Sequence, residues 1–273
     1  MTDAAGLRAD LELAIHAARA AGKEVMRFFR RDAEVRYKGP EQPVTDADLA
    51  ADRVLHRVLL DERPEYGWLS EETADSPGRL ERRRVWVVDP IDGTNSFIRG
   101  IAEFALSVGL VEGDRVVLGV VYNPASGEMY HAIAGGGAFR DGTPIRVSPH
   151  GSLDDRRLVL ASRSEIRRGE FDPFHQGWTV HPLGSTAYKM VKVADRTGDV
   201  FLSRGSKSEW DVCGADVIVS EAGGRVTDAR GEALRYNQPR PLVRGVIASN
   251  GILHKRVIAR VAEIASPVGG SGE

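Results

Sequence analysis

The run Val85-Trp86-Val87-Val88 leads directly into Asp89-Pro90-Ile91-Asp92-Gly93-Thr94-Asn95-Ser96-Phe97. A short apolar, β-branched run of this kind reads as a buried strand. The chain must therefore build a sheet in which one strand ends in two carboxylates, Asp89 and Asp92, with a glycine and a hydroxyl directly behind them. A strand end is a rigid platform, and two acids on it can face one oxygen-loving cation or two adjacent ones. Asp-Pro and Asp-Gly also punctuate turns, so the segment alone is equally compatible with a plain connection.

Three further segments bear on that choice. Trp210-Asp211-Val212-Cys213-Gly214-Ala215-Asp216 runs on to Glu221-Ala222-Gly223-Gly224. Val212, Ala215, Val219 and Ala222 recur at helical spacing, and Gly223 is placed to stop the helix just past its C-cap. Asp211 lies at the helix start, where it is either a functional acid or an ordinary N-cap. Upstream, Leu69-Ser70-Glu71-Glu72-Thr73 sets paired acids after an aromatic-apolar run. Earlier still, Val44-Thr45-Asp46-Ala47-Asp48 opens a helix, and Thr45 with Asp48 has the spacing of a capping box.

Together these four segments resemble the inositol monophosphatase superfamily, which includes the bisphosphate nucleotidases and, more distantly, the fructose-1,6-bisphosphatases. Asp89 to Phe97 matches the first family motif, Asp-Pro-Ile/Leu-Asp-Gly-Thr-x-x-Phe, at every fixed position. Trp210, Asp211 and Glu221 to Gly224 match the second, a Trp-Asp helix ending in Glu-Ala-Gly-Gly. The Glu-Glu and Val-Thr-x-x-Asp elements appear in the right order, so the resemblance runs from about Leu7 to Ile264.

Composition excludes several alternatives. The charge is balanced, 37 basic against 39 acidic residues with a formal net of −2, and shows no basic stripe for nucleic acid. The one cysteine, Cys213, rules out an internal disulfide and reads as a small buried apolar residue. No apolar run approaches a membrane span, and Asp3 and Asp10 interrupt the N-terminus, so a cytoplasmic protein without a signal peptide is expected. The seven histidines are scattered, so any metal would be bound through oxygen.

Leu7, Leu11, Ile15, Ala18, Val25 and Phe29 predict a long amphipathic first helix, and residues 45–60 a second. Strands are expected at 85–89, 104–112, 116–123 and 128–134, with a hairpin turn at Asp141-Gly142. Gly135-Gly136-Gly137 reads as a tight bend rather than a phosphate loop. Beyond about residue 150, strands at 158–161, 200–202 and 246–248 alternate with helices at 186–196, 211–222 and 250–264. The expected division is an α+β lobe over 1–150 carrying most metal ligands, an α/β lobe over 151–265 carrying the Trp-Asp helix, and a flexible tail over 266–273. The resemblance implies a layered α-β-α-β-α sandwich.

The resemblance also implies roles. Asp48, Glu71, Asp89, Asp92 and Asp211 gathered in one cleft would repel one another unless cations were present. Mg²⁺ suits such ligands. Glu71, Asp89 and the Ile91 carbonyl would hold one ion, and Asp89, Asp92 and Asp211 a second, with a third and looser ion near Glu71. Thr94 would orient the attacking water, bonded to Asp48 or Glu71 as proton acceptor, and Gly93 and Thr94 N–H groups would face the phosphate. The implied activity is Mg²⁺-dependent hydrolysis of a small phosphate monoester by metal-activated water, with lithium sensitivity and a homodimer as family expectations.

For the substrate, the resemblance places an acid seven residues before the Trp-Asp aspartate in inositol phosphatases, and here that position is Arg204. Ser203-Arg204-Gly205-Ser206-Lys207 reads either as a site for a second phosphate or as a solvated surface loop. Gly184-Ser185-Thr186-Ala187-Tyr188-Lys189 resembles an element of the bisphosphate nucleotidases, and Gly184, Ser185 and Thr186 join Asp92, Gly93, Thr94, Arg204 and Asp211 as expected substrate contacts. A 3′(2′),5′-bisphosphate nucleotidase acting on 3′-phosphoadenosine 5′-phosphate is expected first. Inositol-1-monophosphatase, histidinol-phosphatase and sugar bisphosphatase follow. A non-catalytic RNA- or polymerase-associated role is the alternative of another class.

Overall fold

Leu7, Ala14, Ala17, Ala18, Ala21 and Val25 share one face of the first helix, α1 (Ala4–Phe28), and all are buried. The structure, a computed structural model, describes residues 4–31, 35–39, 42–151, 157–174 and 178–265. After α1 comes a hairpin, β1 (Val35–Gly39) and β2 (Gln42–Thr45), and then α2 (Asp46–Glu62), which packs beside α1. Thr45 and Asp48 do form the capping box that their spacing predicts.

Both helices cover one face of a seven-stranded sheet: β3 (Gly67–Ser70), β4 (Arg84–Asp92), β5 (Ala105–Glu112), β6 (Arg115–Asn123), β7 (Glu128–Ile133), β8 (Ala138–Arg140) and β9 (Thr143–Ile145), adjacent in chain order. β3 pairs parallel with β4, and the other pairs are antiparallel. A one-turn helix, α3 (Thr94–Ile98), follows β4. Side chains alternate across a strand. Trp86 and Val88 enter the core under α1 and α2, while Val85 and Val87 enter the core on the opposite face. That double burial is why β4 reads as a continuous apolar run.

The second sheet has five strands in the order β11-β10-β12-β14-β13: β10 (Arg157–Ala161), β11 (Trp178–Pro182), β12 (Val200–Ser208), β13 (Arg225–Thr227) and β14 (Leu242–Ser249). Its helices are α4 (Arg163–Arg167), α5 (Thr186–Ala194), α6 (Glu209–Glu221) and α7 (His254–Ala265). α5 and α6 lie between the two sheets, and their apolar residues join one core with Val87, Val121, Phe201 and Val246. On the outer face, Val159, Val200 and Ile247 pack with Leu253, Val257 and Val261 of and just before α7. The order helix, sheet, helix, sheet, helix is the layered sandwich that the family resemblance implies.

α6 is seated flush on the first sheet. A Cβ on Gly119 of β6 would overlap the Gly214 carbonyl oxygen and stand 2.7 Å from Val217 Cγ1. The close approach brings the first turn of α6 to the end of β4. Gly223 ends α6 in the left-handed region at φ 86°, as expected. The Gly135–Gly137 run is a bend whose two outer N–H groups donate to Glu221, at 2.7 and 2.8 Å.

Two expectations change. Arg204 is not in a loop: β12 continues to Ser208 and pairs with β14 across a bulge between Ser203 and Ser206. Asp211 is not an N-cap: Ser208 caps α6, and Asp211 is the third helical residue, accepting the Ser208 N–H at 2.9 Å. Residues 266–273 lie outside the described residues. Among the described residues, no helix is long and apolar enough to cross a membrane.

Candidate active site

Three acids from three separate elements converge. Glu71 follows β3, Asp89 sits near the end of β4, and Asp211 lies in the first turn of α6. Each offers a carboxylate oxygen, and these three oxygens lie within 4.8 Å of one another. Asp89 is almost fully buried. Burial, and then the charges of Glu71, Asp92, Asp211 and Asp48, push its carboxyl well above the usual range. Protein crowds Asp211 as well: burial and then Asp92 raise it to about 7, against the pull of Lys207, the Ser208 N–H and Lys189.

Asp92 approaches differently. Its Oδ2 accepts from Ser185 Oγ at 2.5 Å and from the Ala187 N–H at 2.5 Å, so the first turn of α5 holds that oxygen. Ser185 also caps α5, accepting the Tyr188 N–H at 2.9 Å, and its φ of 60° is rare outside glycine. Gly184 and Thr186 flank it, with Thr186 buried. Gly93 is the left-handed N-cap of α3 at φ 98°.

Thr94 Oγ1 has two acceptors within donating distance, Asp48 Oδ1 at 3.2 Å and the Ile91 carbonyl at 3.1 Å. The other oxygen of Asp48 accepts the Thr45 N–H at 2.8 Å and the Thr45 hydroxyl at 2.6 Å. Burial raises the Asp48 carboxyl, and the Thr45 and Thr94 hydrogen bonds offset part of the rise. Asp48 is thus a base of raised affinity for protons, linked to a hydroxyl beside the acid cluster.

Asp52 is a residue that sequence reading missed. It lies one turn after Asp48 on α2, where its Oδ1 accepts Ser70 Oγ at 2.5 Å and its Oδ2 accepts Thr73 Oγ1 at 2.7 Å. These bonds bracket Glu71. The i, i+4 spacing from Asp48 was the available signal. Arg204 is exposed on β12, while Lys207 is partly buried with its Nζ 3.7 Å from Glu165 Oε1.

A cluster of carboxylates is a set of hard oxygen donors, and the burial and neighbouring acids that raise the Asp89 carboxyl make a setting that a divalent cation would relieve. The arrangement fits a metal-dependent hydrolase.

The sequence model of the inositol monophosphatase family matches residues 7–266. The chain belongs to that family. It is 32% identical over 235 residues to the 3′(2′),5′-bisphosphate nucleotidase CysQ of Aggregatibacter actinomycetemcomitans, covering 84% of this chain and 87% of the relative. It is 34% identical over 231 residues to the inositol-1-monophosphatase of Rhizobium meliloti, covering 81% and 86%. Among solved structures, the IMPase of Thermotoga maritima superposes with a TM-score of 0.83 at 31% identity, covering 95% of this chain and 99% of that one. As an inositol monophosphatase family member the chain is a metal-dependent phosphoric monoester hydrolase.

Proposed function

We propose that the chain hydrolyses a small phosphorylated metabolite with Mg²⁺ as cofactor, and that its substrate is a 3′(2′),5′-bisphosphate nucleotide such as 3′-phosphoadenosine 5′-phosphate. Glu71, Asp89 and the Ile91 carbonyl would hold one ion, and Asp89, Asp92 and Asp211 another, for two to three per site. When bound, such ions neutralise phosphate charge and lower the pKa of the attacking water. The chain's own groups do the rest. Asp48 accepts a hydrogen bond from Thr94, whose hydroxyl keeps its proton and leaves its lone pairs free to align water, and Asp48 or Glu71 takes up the water's proton. Gly93 and Thr94 present N–H groups to the phosphate at the start of α3. No covalent phospho-enzyme is needed.

The observation that carries the nucleotide reading is Arg204, an exposed cation on β12, seven residues ahead of Asp211, where inositol-acting enzymes are expected to place an acid. Lys207 adds a second cation whose charge reaches Asp211. The CysQ relative supports the same reading. The inositol 1-phosphate reading draws on the Rhizobium relative and on the pairing of Lys207 with Glu165, which spends one of the two cations inside the fold.

The deciding experiment is a phosphate-release panel with Mg²⁺ over 3′-phosphoadenosine 5′-phosphate, inositol 1-phosphate, fructose 1,6-bisphosphate and histidinol phosphate. A preference for the nucleotide is expected, and a preference for inositol 1-phosphate overturns it. Li⁺ inhibition and a homodimer, read by light scattering, belong to the same proposal, as does a cytoplasmic location.

A further inference from the structure

Asp92 depends on a turn that is itself held from outside the acid cluster. Its Oδ2 accepts two hydrogen bonds from the segment Ser185–Ala187. Ser185 holds a positive φ of 60°, a strained conformation for a non-glycine residue that persists only where neighbours enforce it. The enforcing neighbour is Glu103. Its Oε2 accepts the Gly184 N–H at 2.7 Å. A Cβ on Gly184 would overlap Ser96 Oγ and the Glu103 carbonyl oxygen, so the chain is pressed against Glu103 at this point.

Glu103 is in turn gripped by Arg163, the first residue of α4, in a fork: Nη1 bonds Oε2, and Nη2 bonds Oε1 at 2.9 Å. Burial alone would raise the Glu103 carboxyl. The hydrogen bonds from Arg163 and from Gly184, and the Arg163 charge, outweigh it and keep the carboxyl below its ordinary value. Glu103 comes just before β5 of the first sheet, and Arg163 follows β10 of the second. The fork therefore joins the two sheets across the layer that contains α5.

We propose that the Arg163–Glu103 pair is a positioning device for Asp92, fixing the Gly184–Ser185 turn so that the other carboxylate oxygen of Asp92 is presented to the cation site. The proposal rests on the reading of Asp92 as a metal ligand. Neither residue touches the reacting atoms. Outer partners of this kind typically alter metal affinity by roughly 10- to 100-fold when removed.

The test is a Mg²⁺ titration followed by thermal shift, with kcat measured at saturating Mg²⁺, on the full chain carrying Arg163→Met, Arg163→Lys or Glu103→Ala. Arg163→Met and Glu103→Ala are expected to raise the Mg²⁺ concentration for the half-maximal shift by roughly 10- to 100-fold. Arg163→Lys, which keeps the charge but loses the fork, should raise it less and covers the case in which Arg163→Met does not fold. Arg140→Met is the comparison: Arg140 pairs with Glu128 and Asp195 beyond the far end of α5. It should lower the melting temperature and leave the Mg²⁺ midpoint unchanged. Folded Arg163 and Glu103 variants with the wild-type midpoint would overturn the proposal, as would an equal displacement in Arg140→Met. A wild-type protein with no Mg²⁺ shift at all would instead overturn the metal-site reading beneath it.

Discussion

Thr94 and Asp48 are joined by a hydrogen bond of 3.2 Å that links α3 to α2 beside the acid cluster. Thr94 has one proton and two acceptors in reach, Asp48 Oδ1 and the Ile91 carbonyl. Its lone pairs remain available to accept from a water. Asp48 is locked by Thr45, so the pair has little freedom to turn away.

Thr94→Ala is expected to lower kcat by roughly 10²- to 10⁴-fold while KM changes little, because the hydroxyl acts on the attacking water more than on bound substrate. Thr94→Ser should retain most of the rate. Steady-state kinetics at saturating Mg²⁺ checks this, and a rise in KM alone would make Thr94 a binding residue.

Asp89→Asn should reduce activity by at least ~10³-fold, since Asp89 is the acid assigned to both ions. The same change should raise the melting temperature in EDTA. It removes a buried acid whose ionised form is opposed by burial and then by Glu71, Asp92, Asp211 and Asp48. Activity assays and thermal melts of the metal-free protein read the two effects separately, and full wild-type activity in EDTA would end the metal-dependent reading.

The pH dependence follows from the same acids. Asp89 and Asp211 have folded-state carboxyls raised above their unfolded values, Asp211 to about 7. The folded, metal-free protein then binds more protons than the unfolded chain, so its stability is fullest below the unfolded carboxylate range and is lost as pH rises toward about 7. Mg²⁺ should reverse the trend, and its stabilising increment should grow between about pH 5 and pH 7.5. Melts with Mg²⁺ and with EDTA across that window check the sign.

Arg204→Ala is expected to weaken turnover of a bisphosphate by roughly 10- to 100-fold while sparing a simple monophosphate, the value of one charge-assisted contact. Arg204 is exposed, so the effect should shrink with added salt. Equal losses on both substrates would indicate a structural role, and no loss on either would favour inositol 1-phosphate.

Gly119→Ala should destabilise the fold by about 1–3 kcal/mol or more, because its Cβ has no room beside Gly214 and Val217. α6 would be lifted off β6 and carry Asp211 away from Asp89. Denaturant melts would show the loss, and a weaker Mg²⁺ response at unchanged occupancy of the folded state would show the displacement.

What the sequence determined by itself is whatever depends on short-range pattern. The apolar run before Asp89, the Thr45–Asp48 capping box and the Gly223 stop were all readable, because strand burial, capping and helix termination are encoded within a few residues, whereas the order of layers came from the family resemblance. The four acid-bearing segments were readable for a similar reason: each is a contiguous motif. Only the tertiary structure decided which acids meet. Glu71, Asp89 and Asp211 come together because α6 lies flush on Gly119, a contact between residues nearly a hundred positions apart along the chain. It also decided that Arg204 belongs to a bulged strand, since the pairing of β12 with β14 is set by a partner about forty residues downstream. Glu103 and Arg163 were invisible for the same physical reason, and Asp52 offered only its i, i+4 spacing from Asp48: their hydrogen-bond partners lie 18 to 81 residues away, and a side chain's role is fixed by what folding brings to it.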